Sequence, residues 1–290
     1  MTSVDDARAG PIKAGLMMML SSLCFIINDT GMKLLSQTMP TGSLISLRNG
    51  IASLLLLAYV LASGDGGKLS AIFGRWAVLR TLVDAALTVL FLVALAHLPI
   101  ANLTTILQSL PIVVAAMAIF TLRETPGLSR LLTILAGFAG VLLIVQPGGD
   151  DFSIYSMLGV GVVFLAAARD IMTRHIGQHV PGSVIAFGNV IGVALVGLAI
   201  SFFEGGLQWP TLGGWGLGVM SGVFVAAGLV SLIKSLRMAP ISVTAPFRYS
   251  VVLWSILSGY FVFEDVPNAL AMGGIVLIIV SGIAAMRVRQ

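Results

Sequence analysis

The feature that most restricts this chain is a succession of ten apolar runs separated by short turns. They cover approximately residues 13–35, 42–62, 76–97, 101–122, 129–146, 155–176, 182–203, 212–236, 241–263 and 267–287. A helix that crosses a bilayer needs about 20 mostly apolar residues, and the runs match that length. They are continuous rather than alternating, which excludes the strands of a membrane β-barrel. With 58% hydrophobic and only 10% charged residues, the chain has no means of building a water-facing surface. The expected fold class is an all-α polytopic membrane protein with ten transmembrane helices. The start of the chain is short and of mixed charge (Asp5, Asp6, Arg8) with no convincing cleavage site, so the first run is read as a genuine helix.

Inside the first run sit Asp29 and Lys33. Each would cost about 2.5–3.5 kcal/mol at the middle of a membrane helix on insertion scales. Four residues apart, with the acid first, they share one helix face and are expected to offset each other's charge. The arrangement returns at a constant distance. Asp170 and Arg174 follow Asp29 and Lys33 by 141 positions, as do Pro181 after Pro40, Pro240 after Pro99 and Ser281 after Gly140. The chain therefore reads as two copies of one unit, residues 1–148 and 149–290. Each copy has five helices, an odd number, so the second is expected to sit upside down relative to the first, as an inverted repeat.

Charge in the connections orients the whole. Twelve of the sixteen basic residues fall at one set of ends, from Arg8 and Lys13 through Lys68, Arg75 and Arg80 to Arg287 and Arg289. The opposite loops, around 36–41, 98–100, 147–154, 204–211 and 264–267, carry none. By the positive-inside rule both termini are expected in the cytoplasm. Spread in this way, the net charge of +4 reports topology and does not suggest nucleic acid.

Four bases and three acids are left within the membrane: Lys33, Arg48, Arg169 and Arg248, with Asp29, Asp84 and Asp170. Such groups face a shared interior or a wet cavity rather than lipid. Asn102, Thr105 and Ser109 recur at helical spacing on the fourth run, with Gln108 beside them, and Pro111 and Pro246 interrupt the fourth and ninth runs. Arg248 has no acid one turn away in either direction, so its own helix offers no partner. Arg48, Gln108, Arg248 and Tyr249 are the candidate substrate contacts, with Tyr249 and Trp254 as stacking surfaces for a ring. Asp29, Lys33, Asp84, Arg169, Asp170 and Arg174 are the candidate gate or coupling residues. The chain has one cysteine and three histidines; His175 and His179 have ligand spacing but no third ligand, so no metal or cofactor is expected. Nothing resembles a hydrolase constellation or a nucleotide-binding motif, and enzymatic function is not expected.

Several short stretches have a familiar order. They are Phe25-Ile26-Ile27-Asn28-Asp29 with Lys33, Leu47-Arg48-Asn49-Gly50, Ala96-His97-Leu98-Pro99, Thr244-Ala245-Pro246-Phe247-Arg248-Tyr249 and Phe263-Glu264. Together they resemble the EamA-like branch of the drug/metabolite transporter superfamily, over essentially the whole chain. Where that family often has Gly-Glu at the end of the fourth helix, this chain has Arg123-Glu124. The resemblance implies four helices of each half lining a central cavity, with the fifth and tenth outside. It also implies a bacterial inner-membrane protein that moves a small polar metabolite by alternating access, without ATP. Riboflavin is the first cargo implied; S-adenosylmethionine import, amino-acid or metabolite export, and polyspecific export of cationic drugs are the alternatives. The expected partners are a small-molecule substrate and the lipid bilayer, with a homo-oligomer also allowed.

Overall fold

The computed structural model describes residues 4–110, 113, 128–146, 153–177, 179–238, 244 and 247–287. Among these are ten α-helices and no strand: α1 (Val4–Leu35), α2 (Thr41–Ala62), α3 (Arg75–His97), α4 (Ile100–Leu107), α5 (Leu128–Val145), α6 (Ile154–Arg174), α7 (Gly182–Phe203), α8 (Leu212–Met238), α9 (Ser250–Phe263) and α10 (Ala269–Arg287). Five of them, α1, α2, α3, α7 and α8, contain stretches long and apolar enough to cross a membrane, and shorter apolar helices lie within α5, α9 and α10. Helices suit this sequence because a backbone in lipid must satisfy its polar groups within its own segment. Proline marks their beginnings. Pro40, Pro99 and Pro181 cap α2, α4 and α7, where a missing N–H leaves no helical bond unmade. Ser153 caps α6, its hydroxyl accepting from the Tyr155 amide at 3.3 Å.

Polarity is turned inside out relative to a water-soluble protein. Arg48, Asp84, Asn28 and Gln108 are buried, while Leu54, Phe203, Leu212 and Phe261 are largely exposed. An apolar belt of that kind suits lipid.

The two halves pack chiefly on each other. The α1 helix lies on α8, and α3 lies on α6; α2 meets α7, and α5 meets α10; α1 touches α9, and α4 touches α6. Shifting by 141 positions turns α1 into α6, α2 into α7 and α3 into α8. Exchanging the halves therefore converts the α1–α8 contact into α6–α3 and returns the α2–α7 and α5–α10 contacts to themselves. Small residues bring the backbones close: Gly222 of α8 faces the Arg48 carbonyl of α2, and Gly140 of α5 faces the Gly274 carbonyl of α10.

The structure adds detail at three places. The linker after α2 holds a 3-10 helix over Asp65–Phe73. The runs at 101–122 and 241–263 are not continuous helices over their described parts: α4 stops at Leu107, with turns at Gln108 and Ser109, and a turn at Tyr249 precedes α9. Gln108 and Tyr249 are 141 positions apart, so the two breaks are equivalent. Pro111 and Pro246 themselves lie outside the described residues. Arg80, counted among the loop charges, lies within α3.

Candidate functional site

A cavity of about 280 Å³ lies between the halves. It is lined by α1, α2, α3, α6, α8 and α9, by α4 with the turn that follows it, and by Arg248 just before α9. α7 contributes no lining side chain but backs the site through Asn189. Positions related by the repeat meet across it: Phe25 and Ala166, Asn28 and Arg169, Leu107 and Arg248. Among the described residues the lining has one carboxylate, Asp29, and three guanidinium groups, Arg48, Arg169 and Arg248. Phe25 and Phe91 are its aromatic side chains.

The three arginines differ in what holds them. Arg169 is fully engaged: its Nη1 donates to Asp84 Oδ1 at 3.0 Å, and its Nε and Nη2 donate to Asp170 Oδ1 at 3.1 and 2.9 Å. Behind it, Asp84 also accepts from the Asn189 amide. Arg80 donates to Asn189 Oδ1 at 3.1 Å and to Thr173 Oγ1 at 2.9 Å. One polar network thus ties α3, α6 and α7 together. Arg48 is only 7% exposed, and its Nε is buried without a hydrogen-bond partner. The opposite charges acting on it are Asp29 and Asp84. Arg248 is exposed into the cavity. Asp84 and Asp170, the acids that would bridge it, are both occupied by Arg169.

The expected pairing within the first helix does not form. Lys33 turns away from Asp29, donating to the Leu98 carbonyl at 2.7 Å and to Asp265 Oδ2 at 3.3 Å, with its ammonium 4.5 Å from the Phe263 ring centre. The reason is position. Lys33 lies in the last turn of α1, where its long side chain reaches the α3–α4 turn and the loop after α9. Asp29 instead accepts from the Asn28 amide at 2.8 Å and faces the cavity. In the second pair, Asp170 is held by its neighbour Arg169, and the side chain of Arg174 lies outside the described residues. Asn28–Asp29 and Arg169–Asp170 are equivalent under the 141-residue shift. In each, the residue before the aspartate donates to it.

Of the candidate substrate contacts, the structure brings Arg48, Gln108 and Arg248 to the cavity together with Asp29 and Arg169. Tyr249 is buried off the lining, its hydroxyl without a partner, and the Trp254 indole N–H is likewise buried and unpartnered. Sequence reading missed Asn189, Arg80 and Asp265. Two signals pointed to them: Asn189 stands 141 positions after Arg48, and Asp265 directly follows the Phe263-Glu264 motif.

The profile of the EamA-like transporter family matches this chain twice, over residues 12–146 and 153–286. Among curated proteins, the chain is similar to the riboflavin transporter of Vibrio cholerae serotype O1, 26% identical over 93% of this chain and 92% of that one. It is similar to the pseudopaline exporter of Pseudomonas aeruginosa, at 26% over 96% and 98%. It is also similar to the S-adenosylmethionine uptake transporter of Rickettsia felis, at 25% over 90% and 88%. A solved crystal structure shares the fold with a TM-score of 0.64 over 98% of both chains, at 18% identity.

Proposed function

The chain belongs to the EamA-like transporter family, and on that premise we propose that it is a secondary transporter carrying a small polar metabolite across the bacterial inner membrane by alternating access. It is a multi-pass membrane protein of a transporter family, not an enzyme. The observation that carries the proposal is the charged cavity between two equivalent halves, lined from both. In this reading the halves, residues 1–148 and 149–290, form an inverted repeat of ten spans with both termini cytoplasmic, and they rock about the cavity. Arg48, Gln108 and Arg248 contact the cargo. The Lys33–Asp265 bridge closes one end, and the Asp84–Arg169–Asp170 network holds the helices at the other.

Riboflavin is the first cargo to test. A polyspecific exporter of lipophilic cations fits less well, because three guanidinium groups face the cavity and Asp29 already has Asn28 and Arg48 beside it. The test is uptake of labelled riboflavin, S-adenosylmethionine, amino acids and organic acids into proteoliposomes of the purified protein. Saturable flux of one class, competed by unlabelled cargo and lost in Arg248→Gln, is the expected result. Equal flux in protein-free vesicles, or flux indifferent to Arg248, would remove the cavity from the pathway.

A further inference from the structure

We infer that the cargo carries an oxyanion, a carboxylate or a phosphate monoester, anchored between Arg48 and Arg248; this rests on the transporter reading and adds the class of substrate. The balance of charge argues for it. Lys33 is paired with Asp265 at the end of α1. Arg80, Asp84, Arg169 and Asp170 form two bases and two acids in one network. Arg48, Arg248 and Asp29 are left, and one carboxylate offsets only one of two guanidinium groups. Among the described residues these side chains hold one positive charge in excess, inside a membrane where unpaired charge is expensive.

The geometry of the two arginines makes the same point independently. Arg48 lines the cavity at 7% relative exposure, and its Nε–H is buried without a hydrogen-bond partner among the described residues. Arg248 lies open to the same cavity, with no hydrogen bond or ion pair among the described residues. A guanidinium presents parallel N–H donors that match the two oxygens of a carboxylate or phosphate. An oxyanion would supply the missing acceptors and cancel the excess charge at once. A neutral cargo would do only the first, in part. A cation without an oxyanion, such as a quaternary ammonium, would add to the excess. Gln108, buried on the same wall, offers both donor and acceptor to orient the rest of the molecule.

Matched pairs test this with the full-length protein in detergent. The pairs are succinate with succinamide, glycerol phosphate with glycerol, and riboflavin phosphate with riboflavin; choline serves as the cation. At a hundredfold excess over Kd, an anionic member should raise Tm by about 5 °C while its neutral twin does not. The carboxylate and phosphate pairs tell the two oxyanion sources apart. Arg248→Gln should weaken the effective anion by about tenfold or more, with Arg248→Lys intermediate because it keeps the charge and loses the fork. Arg248 is exposed, so this variant decides even if Arg48→Gln fails to fold. The inference is overturned if no anion stabilises the protein, if neutral or cationic members do so instead, or if anion stabilisation is unchanged in Arg248→Gln. Flux of riboflavin with the anions inert would sink the oxyanion and leave the transporter standing. Anion binding without flux of any compound would do the reverse.

Discussion

At the scale of single residues, the site is defined by which charges find partners. Asp84 and Asp170 both hold Arg169, but their surroundings differ: the Asp84 side chain is 10% exposed and that of Asp170 is 44%. Water screens the second contact far more than the first, and Asp84 also accepts from Asn189. Asp84→Asn should therefore cost roughly 3 kcal/mol of stability, because it leaves a buried guanidinium short of charge. Asp170→Asn should cost about 1 kcal/mol or less. Thermal unfolding of the two variants in detergent checks the order, and equal losses would show that burial does not rank these contacts. The presence of these charges was legible in the sequence, because an acid or base in an apolar run has few places to go. Their partners were not. Spacing along one helix joined Asp29 to Lys33, whereas Lys33 bonds to residues 65 and 232 positions away. A side chain at a helix end reaches across to neighbouring loops, and local periodicity carries no information about them.

At the scale of elements, sequence and structure agree closely for α2, α3 and α7. The run at 182–203 coincides with α7, and those at 42–62 and 76–97 fall one residue short of α2 and α3. The interrupted helices were only half legible. Pro111 and Pro246 announce that an amide donor is missing, but hydrophobicity continues through both breaks, so their places at Gln108 and Tyr249 had no sequence mark. The 3-10 helix at Asp65–Phe73 was hidden by its Gly-rich start, Gly64-Asp65-Gly66-Gly67, which reads as a flexible turn. Close packing of α2 on α7 gives a direct test at this scale. A Cβ on Gly42 would lie 2.5 Å from the Ser201 amide nitrogen and 2.8 Å from the Gly197 carbonyl. Both are backbone atoms that cannot step aside without moving α7. The Gly42 amide also donates to Glu204 at 2.8 Å. Gly42→Ala should thus destabilise the protein by about 1–3 kcal/mol. On the same helix, Gly50 has nothing within 4 Å of its added Cβ, and Gly50→Ala should be neutral or raise stability by up to about 1 kcal/mol. A comparison of their melting temperatures decides it; similar losses at both positions would mean that helix contact is not what Gly42 serves.

At the scale of the whole molecule, the organising fact is that contacts survive exchange of the halves. The α1–α8 contact maps onto α6–α3, and the α2–α7 and α5–α10 contacts map onto themselves. A carrier built this way has two related packings available, one opening each end of the cavity, provided that the halves run in opposite senses through the membrane. That condition is decided by topology. Bases crowd the ends that hold Lys68, Arg75 and Arg80, while the segment 147–154 has none and carries Asp150 and Asp151. Ser70 lies exposed in the 3-10 helix beside Lys68, and Ser153 lies at the cap of α6. Three of the expected spans, 76–97, 101–122 and 129–146, lie between the two positions, an odd number, so the two serines should face opposite compartments. Cys24, the native thiol, is buried at 4% exposure, and Cys24→Ala gives a clean background. In intact cells a membrane-impermeant maleimide should label Ser153→Cys from outside and spare Ser70→Cys, which should react only after the inner membrane is opened. Reversed labelling would place the termini outside and invert the positive-inside assignment. Labelling of both serines from one side would break the odd helix count, and with it the inverted repeat on which exchange of the two packings depends.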